Sequence, residues 1–307
     1  MRKEIETETA GSPVTPGELW TNRSCRDLSK IIEELGFVVS PNTIDRLLRE
    51  ELGLGRRQAL KDVAIGSAPD RDAQFQRIAE LRRHYHMRDW PIISIDTKKK
   101  EMLGNFHRQG VCRTSGRVHT FDHDFPSAGE GKVIPYGVYD VRTNAALMTL
   151  ARGSDTGELV GDSIRMWWNR MGRYRYDGAK QMLILADSGG SNGCRVRLFH
   201  EQLWKISEHL GITLRVAHLP SYCSKYNPID HRLFCHVTRS LKGVVFHSIG
   251  AIRNAASRTA TSTGLQVKVA ILKRIYRRGV QATERFLNGD YIRHDAELPK
   301  YNYTTTG

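Results

Sequence analysis

PIISID, residues 91–96, is a short apolar run that closes on a carboxylate, and MLILAD, residues 182–187, repeats the pattern. Short runs rich in Ile and Leu predict buried strands. An acid at the last position of such a strand points out of the sheet edge, where ligands usually bind. A third acid, Asp230, lies in KYNPIDHRLF, residues 225–234. Carboxylates gathered at one point cannot all stay ionised in a low dielectric without a cation. A pair of Mg²⁺ ions, with Mn²⁺ as a substitute, would resolve that and would also carry out phosphodiester chemistry. Asp96, Asp187 and Asp230 are therefore candidate catalytic acids and metal ligands. Each also has an ordinary reading. Asp96 and Asp187 suit strand-end turns, where Asp bonds its own backbone. Asp230 suits the third position of a helix that Asn227 caps and Pro228 opens, facing the positive end of the helix dipole.

Composition narrows the partner. The chain has 307 residues, 39% of them hydrophobic, enough for about two domains with a substantial core. Lys plus Arg is 47 against 33 Asp plus Glu, a formal charge of +14, which favours a polyanion and first of all nucleic acid. No apolar run approaches the ~18 residues needed to span a membrane. The polar N-terminus, MRKEIETETAGSPVTPGE, lacks the apolar centre of a signal peptide. The expected location is the cytoplasm, at the nucleoid when DNA is bound. Cys25, Cys112, Cys194, Cys223 and Cys235 are odd in number and lack a CxxC pair, which fits reduced thiols. His218, Cys223, His231 and Cys235 match no common zinc spacing.

Residues 1–19, rich in Thr, Glu, Gly and Pro, are expected to be a disordered tail. Residues 20–66 predict a helix-turn-helix. Leu28, Ile31, Ile32 and Leu35 recur at helical spacing before Gly36, and Ser40 caps a second helix with Ile44, Leu47 and Leu48 on one face. In such a unit the second helix enters the major groove of double-stranded DNA. Asn42, Thr43, Arg46 and Arg49 would be offered to it, and Arg56 and Arg57 to phosphates. A plain helical hairpin used for packing is the rival. Residues 67–90 predict a linker helix, 91–245 the catalytic core, and 246–307 a basic helical C-terminal region containing AILKRIYRRGV.

Within the core, VIPYGVYD and AALMTLA predict paired strands around Arg142-Thr143-Asn144. A helix over 155–172, the strand MLILAD, a helix over 194–211, the strand ITLRVAHLP and a helix from Asn227 to Gly243 follow. Three strands, then helix, strand, helix, strand, helix is the order of a ribonuclease-H-like α/β core with a mixed sheet. Lys98 and Lys100 share the face of Asp96 if its strand continues, and would hold phosphates there; a solvated loop is the alternative. ADSGGSNG follows a strand, but Gly189, Gly190 and Gly193 do not make GxGxxG, and Asp187 would repel a pyrophosphate. Asp122, His123 and Asp124 beside His119 could bind metal, though such a run is more often a solvated rim.

HDFP, GKVIPYGVYD, the Trp pair of SIRMWW, ADSGGSNG, SKYNPIDHRLF and STGLQVKV, in this order, resemble the Rhodopirellula-type DDE transposases of bacterial insertion sequences. The resemblance runs from about residue 70 to the C-terminus. It implies a ribonuclease-H-like catalytic domain, divalent metal, cleavage and strand transfer at element ends, and a homo-oligomer on DNA. By position it puts Asp96, Asp187 and Asp230 in the three acid places. The chain departs from the family pattern in carrying Asp230 where glutamate is usual, as mariner-type relatives do, and Ser188 where glycine is commoner. SYCSKYNPID looks intermediate between the two groups, and the N-terminus looks short. Two rival functions are a transposon-derived DNA-binding protein without catalysis and a ribonuclease-H-like nuclease without strand transfer.

Overall fold

The structure is a computed structural model that describes residue 5 and residues 21–56, 70–121, 129–221 and 223–306. The expected disordered tail falls almost wholly outside these residues, as do Arg57, Asp122, His123 and Asp124. The chain divides into two compact units, residues 1–65 and 66–307.

In the first unit, helix α1 spans Cys25–Glu34 and α2 spans Pro41–Glu50. Ser24 and Ser40 cap them, each accepting a backbone N–H three residues on, which satisfies one of the orphan donors of a first turn. Gly36, at φ +89°, takes the left-handed conformation needed after α1. Leu28, Ile32, Ile44 and Leu48 close a small core with Ile5. Leu35, expected on the apolar face, is 53% exposed, because α1 ends before its side chain turns inward.

The second unit opens with α3, Arg71–Met87, and then builds a nine-stranded sheet. Its first strands are β1 (Ile92–Thr97), β2 (Glu101–Leu103), β3 (Gly131–Asp140) and β4 (Ala145–Gly153). Helix α4, Gly157–Trp167, continues through a π turn at Trp168–Gly172. Strand β5 (Gln181–Ala186), helix α5 (Arg197–Leu210) and strand β6 (Thr213–His218) follow. A π turn at Asp230–Phe234 leads into α6, Cys235–Ser240, and α7 spans Ile249–Ala256. Strand β7 (Gln266–Tyr276), the short α8 (Glu284–Leu287), and strands β8 (Ile292–His294) and β9 (Asn302–Thr305) complete the chain.

The sheet order is β7-β4-β3-β1-β5-β6-β9-β8, with β2 beside β3. Strands β1, β3 and β4 run antiparallel in sequence, while β5 lies parallel to β1 and β6 parallel to β5. This is the ribonuclease-H-like arrangement expected from the element order. The central parallel strands are covered on both faces, so they read as continuous apolar runs. On one face Ile93, Ile95, Tyr136, Met182 and Ile184 pack against α4 and α5 through Leu159, Ile164, Trp167, Phe199 and Leu203. On the other, Ile92, Leu183 and Leu185 meet α3. Tyr139, Met148 and Leu150 meet Ile229, Leu233 and Val237 on that side.

The C-terminal region corrects the sequence expectation. Residues 246–307 are not a helical tail: AILKRIY lies in β7, which pairs parallel with β4 from Ala145↔Gln266 onward. Val267, Val269 and Ile271 alternate at the strand period, and β4 would otherwise leave a long edge of unpaired backbone groups. At the far side β9 pairs with β6 and buries Tyr303 fully.

Candidate active site

Asp96 is the penultimate residue of β1, and Asp187 directly follows β5. These neighbouring parallel strands pair Ile95 with Ala186, so the two acids leave the sheet side by side. Alternation puts Asp96 and Ser94 on the face opposite Ile95, the face that carries the Asp230 segment. There the cross-strand partner of Asp96 is Gly137. A Cβ on Gly137 would lie 2.7 Å from Ile229 Cδ1 and 2.8 Å from Phe234 Cε1. The missing side chain lets the Asp230 turn settle onto the sheet.

A buried polar bracket links Asp187 to the segments that carry Asp96 and Asp230. Ser94 Oγ donates to Asn227 Oδ1 at 2.5 Å and accepts from Ile229 N at 3.1 Å. Asn227 Nδ2 donates to Asp187 Oδ1 at 3.1 Å. Asn227 is fully buried. Its side chain serves Ser94 and Asp187 rather than capping the helix as expected. On the other side of Asp187, His218 Nδ1 lies 2.8 Å from its carbonyl oxygen, and His218 Nε2 lies 2.8 Å from the Tyr303 hydroxyl. A carbonyl only accepts, so Nδ1 carries the proton and Nε2 receives that of Tyr303. Burial pushes His218 down to about 4, which keeps the ring neutral.

The acids are poorly compensated. Burial, followed by the charge of Asp187, pushes Asp96 up to about 7. Burial and then Asp230 push Asp187 up to about 6, and burial raises Asp230. Among the described residues their supporting bonds are few: Asp96 Oδ1 accepts from Thr97 N at 2.7 Å, and Asp187 accepts from Asn227. Asp96 and Asp187 line a cleft of about 740 Å³, together with Lys98, Lys99, Lys100, Ser188 and Asp155. Asp230 is not in that lining but acts on both of the others through its charge. Sequence reasoning treated Asp155 only as the start of a helix. Its one signal was an acid directly before the capping Thr156.

Carboxylate oxygens without cationic partners are the hard donors that Mg²⁺ or Mn²⁺ takes. Asp155 Oδ1 fits that demand, being buried without a hydrogen-bond partner. Among the described residues, no three His, Cys, Asp or Glu side chains are drawn together as a ready ion cage.

The whole chain, residues 1–307, matches the family described as the Rhodopirellula transposase DDE domain. The chain belongs to this DDE transposase family. No curated protein matches it. Among solved structures, the Mos1 transposase paired-end complex with left transposon end is 15% identical, with 82% of this chain and 75% of that chain covered and a TM-score of 0.46. The Mos1 strand transfer complex is 14% identical, covering 82% and 74% at a TM-score of 0.46. The Mos1 mariner paired end complex with Mn is 15% identical, covering 82% and 76% at a TM-score of 0.42. Among the described residues, no helix of this DDE chain is long and apolar enough to cross a membrane.

The residues expected to meet DNA fall into two places. In the N-terminal two-helix unit, Asn42, Arg49 and Arg56 line one cleft of about 730 Å³. Arg49 is held by Asp45 one turn back, and Arg46 reaches Glu50 at 4.0 Å. Thr43 is drawn into the cap, its Oγ1 2.9 Å from Ser40 Oγ. At the acid cleft, β1 stops at Thr97, so strand alternation does not carry on to the lysines. Lys98 is buried and bonds Glu101 at 2.6 Å. Glu101 also pairs with Arg108, while Lys99 and Lys100 are exposed.

Proposed function

We propose that this family member is a metal-dependent DNA transposase that cleaves element ends and joins them to target DNA. The observation that carries the reading is the side-by-side exit of Asp96 and Asp187 from β1 and β5, with Asp230 within charge reach of both and the pKa of each raised by burial and, for Asp96 and Asp187, by a neighbouring acid. Such a set is unfavourable alone and favourable around divalent cations. These three acids would hold two ions, Mg²⁺ or Mn²⁺. Bound cations of this kind polarise a scissile phosphate and lower the pKa of an attacking water or 3′-hydroxyl.

The protein's own part is positioning. The Ser94–Asn227–Asp187 bracket fixes the relative placement of the acids, and neutral His218 anchors the backbone of Asp187 without adding charge. Lys99 and Lys100 border both the acid cleft and a second groove of about 760 Å³ that Lys132 and Lys242 also line. That run of ammonium groups suits a DNA strand passing the acids, and the +14 charge supports it. Asn42 and Arg56 of the helix-turn-helix would read duplex DNA at the element ends, with Arg46, Arg49 and Arg57 contributing charge.

The test is to incubate the full chain with labelled duplex carrying the DNA that flanks its own coding sequence. Strand cleavage at the element boundary that requires Mg²⁺ supports the reading. Tight, sequence-specific binding without cleavage in Mg²⁺ or Mn²⁺ would leave a DNA-binding protein alone.

A further inference from the structure

We infer that Asp155 is a fourth oxygen donor of the acid site, steadied from within the sheet by the Tyr136 hydroxyl. The inference rests on the reading that Asp96 and Asp187 hold divalent cations. Thr97 of β1 and Tyr136 of β3 are register partners, on the face opposite Asp96. Tyr136 is fully buried, yet among the described residues its hydroxyl has no hydrogen-bond partner. Thr97 Oγ1, Asp155 Oδ1 and Asn192 Nδ2 are also buried without partners. Asp155, Thr97 and Asn192 line the same cleft as Asp96. After burial, the charges that act on the Tyr136 hydroxyl are those of Asp96 and Asp155, so it stands within electrostatic reach of both acids.

Buried polar atoms are normally paired, and unpaired ones cluster where water or an ion belongs. Three such atoms on residues of one acid cleft, with the Tyr136 hydroxyl in charge reach of it, are hard to explain by packing. An acid just before a helix commonly serves as a cap or an ion pair, and Asp155 does neither. The cap is Thr156, whose Oγ1 accepts Leu159 N, and among the described residues the cation over this helix, Arg274, pairs with Glu158 and Asp162 instead. Asp155 also acts through its charge on Asp96. The hydroxyls of Tyr136 and Thr97 can donate to the carboxylate through one water, fixing the direction in which its oxygen is presented. Asp155 thus belongs to the metal centre, and Tyr136 is a positioning residue.

The experiment measures Mn²⁺ binding to the full chain without DNA, by calorimetry and by the electron paramagnetic resonance of free Mn²⁺. The variants are Asp155→Asn, Tyr136→Phe and Asp96→Asn, with exposed Asp177→Asn as control. Asp155→Asn should weaken Mn²⁺ binding about tenfold, the low end of the range for groups that orient or complete a metal site. Its melting temperature without metal should hold or rise, because a repelling charge is gone. Tyr136→Phe should weaken binding less, and Asp177→Asn should not change it. Parent-like Mn²⁺ affinity in Asp155→Asn, beside a loss in Asp96→Asn, overturns the inference and spares the functional reading. Parent-like affinity in Asp96→Asn overturns both. Should Asp155→Asn fail to fold, Tyr136→Phe decides, since it deletes only a hydroxyl with no protein partner: weakened binding supports the inference and unchanged binding overturns it.

Discussion

Asn227 Nδ2 donates to Asp187 Oδ1 at 3.1 Å and so fastens the segment carrying Asp230 to the acid that follows β5. The same side chain accepts from Ser94, two residues before Asp96. Truncating it in Asn227→Ala should lower cleavage of element-end DNA 10- to 100-fold, the usual cost of losing a group that orients metal ligands. Part of the loss should be recovered at higher Mg²⁺. Cleavage rates titrated against Mg²⁺ check this, and an unchanged rate would make the bracket merely structural.

Asp230 reaches one methylene less far than the glutamate usual in its family. With the π turn at Asp230–Phe234 seated on Gly137, the helix start already lies close to the sheet. Asp230→Glu should therefore push the carboxylate past its working position and slow cleavage about 100-fold, the scale of a 1 Å misplacement. A faster Asp230→Glu enzyme would mean that the turn keeps glutamate spacing.

Stability without metal should depend on pH in a direction opposite to that of ordinary surface carboxylates. The folded state holds Asp96 near 7 and Asp187 near 6, against an ordinary value of 3.8. Between about pH 4 and pH 7 the folded state thus binds more protons than the unfolded one, so stability falls as pH rises through that window. Melting temperatures in EDTA should drop from pH 5 to pH 7.5, and saturating Mg²⁺ should remove most of the drop. A melting temperature that rises over this range in EDTA contradicts the electrostatic account.

Gly137→Val should destabilise the protein by about 1–3 kcal/mol, as overpacking does. Even its Cβ would collide with Ile229 and Phe234, and relief would lift the Asp230 turn off the sheet. Denaturant melts check the stability, and cleavage should fall more than the folded fraction does.

The strand-end positions of Asp96 and Asp187 were legible because β1 and β5 are covered on both faces and spell apolar runs that close on these two residues. Asp230 was put in the third acid place by the family resemblance, while the Asn-Pro start of its segment gave it only the ordinary reading of a helix-start acid. Asp155 was hidden, since an acid beside a capping Thr156 looks like any helix start. Tyr136 was hidden too, because a Tyr in VIPYGVYD fits a strand and only the fold shows its hydroxyl unpaired. Strand β7 was misread: QVKVAILKRIY carries both a basic helical pattern and a β-branched alternation, and pairing with distant β4 decides between them. The three- and four-residue strands β8 and β9 exist only through pairing with each other and with β6. Lys98 was placed by alternation that stops at Thr97, where Glu101 captures it.

The most direct test of the central claim is Asp187→Asn in the full chain, assayed in parallel for binding and for Mg²⁺-dependent cleavage of the same element-end duplex. The amide keeps the shape of the side chain but cannot hold a cation as a carboxylate does, so cleavage should vanish while DNA affinity stays at the parent level. Cleavage that persists in Asp187→Asn, or DNA binding that is lost along with it, would contradict a metal-dependent role for this acid.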